Sequence, residues 1–437
     1  MNTIKNQPVA YDYHGDTPLQ VPFDQIKPQD IHIYLDLNTK TGAKTCGQNC
    51  NHCWFVNYEK VFNKEFDVIE GQKIKAALDD QGYKVFARYT DSFAYNGDFM
   101  RLYGPAHNRE FRQDQDHKPT KTMVKGDAWT SGRPLLSDNY RELLDLAHDS
   151  GYGTVSITFH GILDESLELI DDKNYPIKGT FSGANTVKVI RRIDEYNELH
   201  RKSPTTQEDR FRVNIGITVG KHNHTRAALV RYAMFFNQLG VETVRFNNFT
   251  DHGSRHPHLQ LSDEEVAQVY KDLKWLHENV ELKFQLAVSE DFGTPGVEVM
   301  NFPAHVGMCQ AGRHLFTVIP TANAIISETN SYKEEKIGDI VACVNIFEPY
   351  LGLLVRKTNL ADQSVQYTLN FDQAAIHELA RKRIEGVYKN GCFAKELRKE
   401  KHIELSRLAK LAIKRQQPLL SLESHKSESE HSVGGVK

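Results

Sequence analysis

Residues 31–55 read IHIYLDLNTKTGAKTCGQNCNHCWF, and this stretch decides the fold. Its first part, IHIYLDLNT (31–39), alternates apolar with polar residues, as a strand with one buried face must. The strand runs straight into a loop carrying Cys46, Cys50 and Cys53, spaced Cys-x3-Cys-x2-Cys and followed at once by Trp54 and Phe55. Three of the six cysteines in 437 residues therefore fall within eight positions. Six is too few for a disulfide framework in a chain of this length, and clustered thiols in a reducing compartment point to metal binding or catalysis.

A structural zinc ion takes four tetrahedral ligands, usually as two separated pairs. The nearest fourth candidate, His52, is trapped between Cys50 and Cys53, and no second Cys-x2-Cys follows downstream. An iron–sulfur cluster accepts thiolates and normally takes four of them. Three thiolates from one loop would hold three irons of a [4Fe–4S] cube and leave the fourth iron open to a substrate or cofactor.

Beyond the loop, the sequence reads as alternating helices and strands. An apolar period of helical spacing covers Asp67–Gln81, followed by the strand YKVFARYT (83–90). KTMVKGDAW (121–129), GTVSITFHG (153–161), FRVNIGITVG (211–220) and ETVRFNNF (242–249) are further strands, separated by helices over 139–151, 185–201 and 226–240. Six strands with intervening helices predict an α/β fold, with a parallel sheet joined by right-handed crossovers.

The cysteine spacing in this context resembles the signature of the radical S-adenosylmethionine (SAM) superfamily. That resemblance implies a partial (β/α)6 barrel over 31–250, with Cys46, Cys50 and Cys53 ligating a [4Fe–4S] cluster whose open iron chelates SAM. It also implies reductive cleavage of SAM to a 5′-deoxyadenosyl radical that abstracts hydrogen from a substrate, and an external electron donor such as flavodoxin or ferredoxin. One position departs from the pattern: the aromatic residue that usually precedes the last cysteine is replaced by His52, and Trp54 and Phe55 are the nearest substitutes.

Ligand sites in such barrels gather at the C-terminal ends of the strands. Thr90, Asp91 and Ser92 stand where the family carries a Gly-Gly-Glu turn, and Asp91 is the expected acceptor for the SAM ammonium. Thr130, in Trp129-Thr130-Ser131-Gly132, is similar to a Thr-Asn-Gly turn. Thr158 and His160 occupy the Ser and Asp places of a VSISxDG-like strand, and Thr218 is within reach of the SAM ribose or carboxylate. An ordinary helix-capping role for each hydroxyl is the competing reading.

The C-terminal third is predicted to form a smaller α+β domain over 251–394. It opens with a His-rich linker containing His252, His256 and His258, and a helix with a Ser262/Glu265 capping box follows. GMCQAGRHLFTVIPTANAIIS (307–327) resembles the start of a SPASM or twitch extension, which in those subgroups ligates an auxiliary [4Fe–4S] cluster. Cys309, Cys343 and Cys392 are its candidate ligands here, but the next cysteine of that pattern is missing near Glu328. Buried, inert thiols in a cluster-free extension are the alternative. A basic amphipathic helix is expected over 395–417 and a disordered tail over 418–437, while 1–30 is an N-terminal extension.

A net charge of −3 gives no global basic field for nucleic acid, and no stretch has the apolar length to enter a membrane. With no signal-like N-terminus, the expected location is the cytoplasm. The resemblance implies a peptide substrate, with a small-molecule dehydrogenase or tailoring reaction as the alternative. A structural zinc protein is the remote one.

Overall fold

Periodic apolar residues build two sheets that meet side by side. The computed structural model describes residues 27–36, 68–88, 91–94, 97–104, 126–170, 176, 181–201, 210–249, 256–289, 292, 311–312, 315–343 and 346–384. Strand and helix alternate from the start: β1 (His32–Asp36), α1 (Val68–Asp80), β2 (Lys84–Arg88), α2 (Asp98–Tyr103), β3 (Gly126–Thr130) and α3 (Tyr140–Asp149). The alternation continues through β4 (Tyr152–Phe159), α4 (Gly183–Arg201), β5 (Arg212–Val219), α5 (Arg226–Phe236), β6 (Thr243–Asn248), α6 (Asp263–Asn279) and β7 (Gln285–Val288). The second half of the chain is antiparallel: β8 (Leu315–Glu328), β9 (Tyr332–Cys343), β10 (Ile346–Asn359) and β11 (Val365–Phe371), closed by α7 (Gln373–Ile384).

The expected α/β partial barrel is present. Its strands β3-β4-β5-β6-β7 form one parallel sheet in sequence order, and β1 and β2 pair in parallel in the other. No ladder joins β2 to β3 among the described residues, but the Ser92 amide donates to the Trp129 carbonyl at 2.8 Å across that junction. Two features were not foreseen. The strand after α6 lies at the edge of the parallel sheet as its fifth member, and β8 runs parallel to β1 before turning back into the hairpin with β9. Among the described residues, α6 packs and β7 pairs on the parallel sheet, while β8–β11 join β1.

Each sheet has its own core. Val155, Ile157, Ile215, Ile217, Val244 and Phe246 point every second residue into a buried cluster with Leu144, Val189, Leu229 and Leu273 of the covering helices. Ile33, Leu35 and Val85 share the other with Ile74 and Leu78 of α1, Phe316, Val318, Ile340 and Leu354 of β8–β10, and Ile376 and Leu379 of α7. Burial of side chains of this size contributes about 1.5–3 kcal/mol each and dominates the stability of both sheets. The capping box read from the sequence forms as expected, with the Glu265 amide donating to Ser262 Oγ and the Ser262 amide to Glu265 Oε2.

Candidate functional site

Alternation leaves the opposite face of the barrel polar. Register places Ser156 beside Asn214 and Asn214 beside Thr243, then Thr158 beside Gly216 and Gly216 beside Arg245, all away from the helices. Phe86 of β2 packs its ring 5.8 Å from His32 and 5.9 Å from Tyr34, continuing this face across β1 and β2. Trp129 on β3 is 58% exposed, a large aromatic surface for a residue inside a strand. Asp127 accepts a hydrogen bond from Ser156 Oγ at 2.8 Å. Crowding by protein atoms pushes the Asp127 carboxyl up from its usual range, while the Ser156 hydroxyl and the guanidinium groups of Arg212 and Arg245 pull it back. A face of this kind offers flat apolar surface and both signs of charge to a bound molecule.

The strand ends are tied to one another. Asp91, just past β2, is fully buried, and its Oδ1 accepts from the Phe93 amide at 3.0 Å and Thr130 Oγ1 at 2.8 Å. Its Oδ2 accepts from the Ser131 amide at 2.9 Å and Ser131 Oγ at 2.6 Å. Four donors on two oxygens fill the carboxylate's usual complement. Burial pushes the Asp91 carboxyl up, and the donations from Ser131, Thr130 and Phe93 oppose that shift. Asp91 is thus a tie between the ends of β2 and β3, a different occupation from the open ammonium acceptor expected from sequence. Thr130 belongs to the same tie, and its Oγ1 also accepts from the Gly132 amide at 3.0 Å. Gly132 turns the chain with φ of 81°, which a side chain would strain.

A second tie joins β4 to β5. Tyr232 of α5 donates to the Gly161 carbonyl at 2.9 Å, and Asn223 donates to the Tyr232 hydroxyl at 3.2 Å and the Thr218 carbonyl at 3.1 Å. The Gly220 amide closes the turn on Asn223 Oδ1 at 2.8 Å. Burial pushes the Tyr232 phenol up to about 12, so it stays protonated and donating. Neither Asn223 nor Tyr232 stands out in the sequence, because each acts through a partner brought near only by the fold.

Thr158 is exposed on the polar face and Thr218 partly so, both near the C-terminal ends of their strands. Ser92 and His160 are buried at the same end. Cys46, Cys50, Cys53, Thr90, Cys309 and Cys392 lie outside the described residues, as do 395–417, 418–437 and residues 251–255 of the His-rich linker. Of the late cysteines, Cys343 is half-buried at the end of β9 against the β8–β11 core. Glu328 pairs with Lys333 at the other end of that strand. Ten residues of strand, about 33 Å, separate Lys333 from Cys343. Glu328 therefore does not join Cys343 at one cluster. Among the described residues no group of three or more His, Cys, Asp or Glu side chains could hold a metal ion, and no helix is long and apolar enough to cross a membrane.

No family model matches the sequence, and no curated protein matches it. Solved structures do. Among them is Streptococcus suis SuiB bound to S-adenosylmethionine, with 12% identity over 82% of this chain and 66% of that one, at a TM-score of 0.43. SuiB bound to its precursor peptide SuiA matches with 13% identity over 74% of this chain and 62% of that one, at 0.42. The chain thus spans just under two thirds of the length of SuiB.

Proposed function

We propose that this chain is a radical SAM enzyme, with Cys46, Cys50 and Cys53 as thiolate ligands of a [4Fe–4S] cluster. The observation that carries the reading is the position of the motif: Cys-x3-Cys-x2-Cys lies in the segment between β1 and α1, at the start of a fold whose β1–β2 pair and β3–β7 sheet are each parallel. The donor set fits, since three thiols on one loop suit a cube with an open iron better than a four-ligand zinc ion. When bound, the cluster supplies the electron that cleaves SAM to methionine and the radical that takes hydrogen from the substrate.

The protein's part is to bind, orient and shield. Thr158 and Thr218 offer hydroxyls to the polar groups of SAM from the ends of β4 and β5, with Thr90 and Ser92 contributing at the turn after β2. The tie at Asp91 and Thr130 fixes that turn, so these residues act by position. Trp129, Phe86 and Tyr34 give the face a flat apolar floor for the substrate. A peptide is the substrate class this reading favours, modified at carbon, with a flavodoxin- or ferredoxin-type protein as electron donor and the cytoplasm as the place of action.

Anaerobic reconstitution with iron and sulfide tests the cluster. The reading expects a brown protein carrying about four irons, with that iron lost in the Cys46→Ala, Cys50→Ala, Cys53→Ala triple variant. Colourless protein that takes up zinc instead would replace it with a structural metal site. Iron retained in the triple variant would be held by the late cysteines Cys309, Cys343 and Cys392.

A further inference from the structure

The centre of the barrel's polar face carries two residues that the reading above leaves unused, Asn214 and Gly216. Both lie on β5, the middle strand of the five-stranded sheet. Alternation puts them with Arg212 and Thr218 on the face away from the helices, and both are partly exposed there. Glycine weakens a strand interior, and it often marks a place where another group comes close to the backbone. The strand passes through Gly216 in ordinary extended geometry, paired with Thr158 of β4 on one side and Arg245 of β6 on the other. A methyl group there would meet the side-chain amide of Asn247 at 3.4 Å, an ordinary contact. Neither the backbone nor the packing of the described residues therefore asks for glycine. Its missing side chain leaves a gap in the floor of the face, about 10 Å wide between the backbones of β4 and β6.

Asn214, two residues earlier on the same face, supplies the second observation. Its Oδ1 is shut off from solvent and accepts no hydrogen bond among the described residues. Its register neighbour on β4, Ser156, gives its hydroxyl proton to Asp127 at 2.8 Å instead. A buried acceptor without a donor is destabilising, and a fold that keeps one leaves a place for a donor from outside.

We infer that Asn214 and Gly216 form a recognition subsite for an amide group of the peptide substrate, with Asn214 as the specificity-determining residue. The inference rests on the peptide reading above and names what that substrate must present. A carboxamide carries an acceptor and an N–H donor side by side, so its full complement is a group with one of each. Another amide has both, whether in the main chain or in an Asn or Gln side chain. A carboxylate brings no proton for Oδ1. An ammonium brings one, but it would lie among two guanidinium groups, Arg212 and Arg245, that share the carboxylate of Asp127. The gap at Gly216 lets a flat amide come close to the backbone of β5. Its height on the face fits as well, since Thr218, which offers its hydroxyl to SAM, is two residues or about 7 Å further along the strand. An amide anchored at Gly216 thus holds the carbons next to it below the end of the barrel where the radical forms.

A random-peptide display library selected against the full chain supplies the probes, each then synthesised with a fluorescent label for binding by anisotropy. Every Asn or Gln of a selected peptide is replaced by Leu in turn, and every main-chain amide is N-methylated in turn. One such change should weaken binding to the wild type about tenfold or more, yet alter binding to Asn214→Leu by less than about twofold. A coupled side chain assigns the subsite to Asn or Gln, and a coupled N-methyl group assigns it to the main chain. Melting adds a readout in which a purely structural role predicts the opposite sign. Asn214→Leu should melt no lower than the wild type, since no bond within the protein is lost. Gly216→Ala should melt about 1–3 °C higher, because the methyl restrains the unfolded chain, and yet bind the peptide about tenfold more weakly. A selection without binders, or peptides in which no change couples to Asn214, leaves Oδ1 to a bridging water and overturns the inference. So does a lower melt in Asn214→Leu, or a Gly216→Ala protein that binds as tightly as the wild type. A tenfold fall in SAM affinity in Asn214→Leu gives the amide to the adenine of the cofactor and overturns it too. Release of 5′-deoxyadenosine by the wild-type enzyme is a separate readout. Its absence, with coupled peptide binding intact, would sink the enzyme reading and leave the subsite standing.

Discussion

Asp91→Ala separates a structural tie from a ligand contact. The substitution leaves the amides of Phe93 and Ser131 and the hydroxyls of Thr130 and Ser131 without their acceptor in a fully buried place. A buried donor without a partner costs about 1–3 kcal/mol. The hydroxyls can rotate to other acceptors and water can enter the gap, so the two amides and the lost charge interaction set the scale at roughly 3–5 kcal/mol. For a folded body of about 200 residues, each kcal/mol shifts the melting temperature by about 2–4 °C, which gives a fall of roughly 10 °C. Scanning calorimetry on the apoprotein, free of metal and SAM, reads this directly. Asp362→Ala is the control, since Asp362 is an exposed residue accepting only from Ser364 close by in its own turn, and it should shift the melt by about 2 °C or less. An Asp91→Ala protein that melts like the wild type yet binds SAM tenfold more weakly would refute the tie and restore Asp91 as the ammonium acceptor.

Other perturbations have comparably definite outcomes. Arg356 joins α1 to β9 by bonds of 2.8 Å to both Glu70 and Glu335, and Arg356→Ala should destabilise the antiparallel sheet by about 1–3 kcal/mol in urea unfolding. Hydrogen bonds from Lys333 and Arg356 hold the Glu335 carboxyl below its usual range. Its contribution is therefore complete above the ordinary glutamate pKa and lost as pH falls through the lowered folded value, so Glu335→Gln should flatten that part of an acid-denaturation curve. Gly352 adopts φ of 150°, and a methyl group there would come within 2.3 Å of the Asn370 carbonyl oxygen across the β10–β11 ladder. Gly352→Ala should cost about 2 kcal/mol or more, and faster amide exchange in β11 reports it. Asn197 clamps the start of β5 by accepting from the Phe211 amide at 2.9 Å and donating to its carbonyl at 3.0 Å. Asn197→Leu removes both bonds and should lower the melting temperature by several degrees.

The legible part of the fold was whatever local periodicity writes. Val213, Ile215, Ile217 and Val219 alternate cleanly, and Ser262 with Glu265 announces the start of α6, so strand and helix positions could be read within a few residues. Pairing between distant segments leaves no such local trace. Nothing in the apolar run of β8 says that it will lie beside β1, some 280 residues earlier in the chain, because any half-buried strand would satisfy the same pattern. Asp91 shows the same limit within the site. A carboxylate after a strand reads as an open acceptor until the fold brings Thr130 and Ser131, 39 and 40 residues on, to saturate it. The face that Thr158 and Thr218 occupy was legible because strand alternation alone fixes it.

The central claim is tested most directly by incubating the reconstituted protein anaerobically with SAM and dithionite and measuring 5′-deoxyadenosine. The account predicts its formation by the wild type, and none above background from the Cys46→Ala, Cys50→Ala, Cys53→Ala variant. A wild-type protein that carries its full complement of iron and sulfide but releases no 5′-deoxyadenosine, or a triple variant that still releases it, would contradict the account.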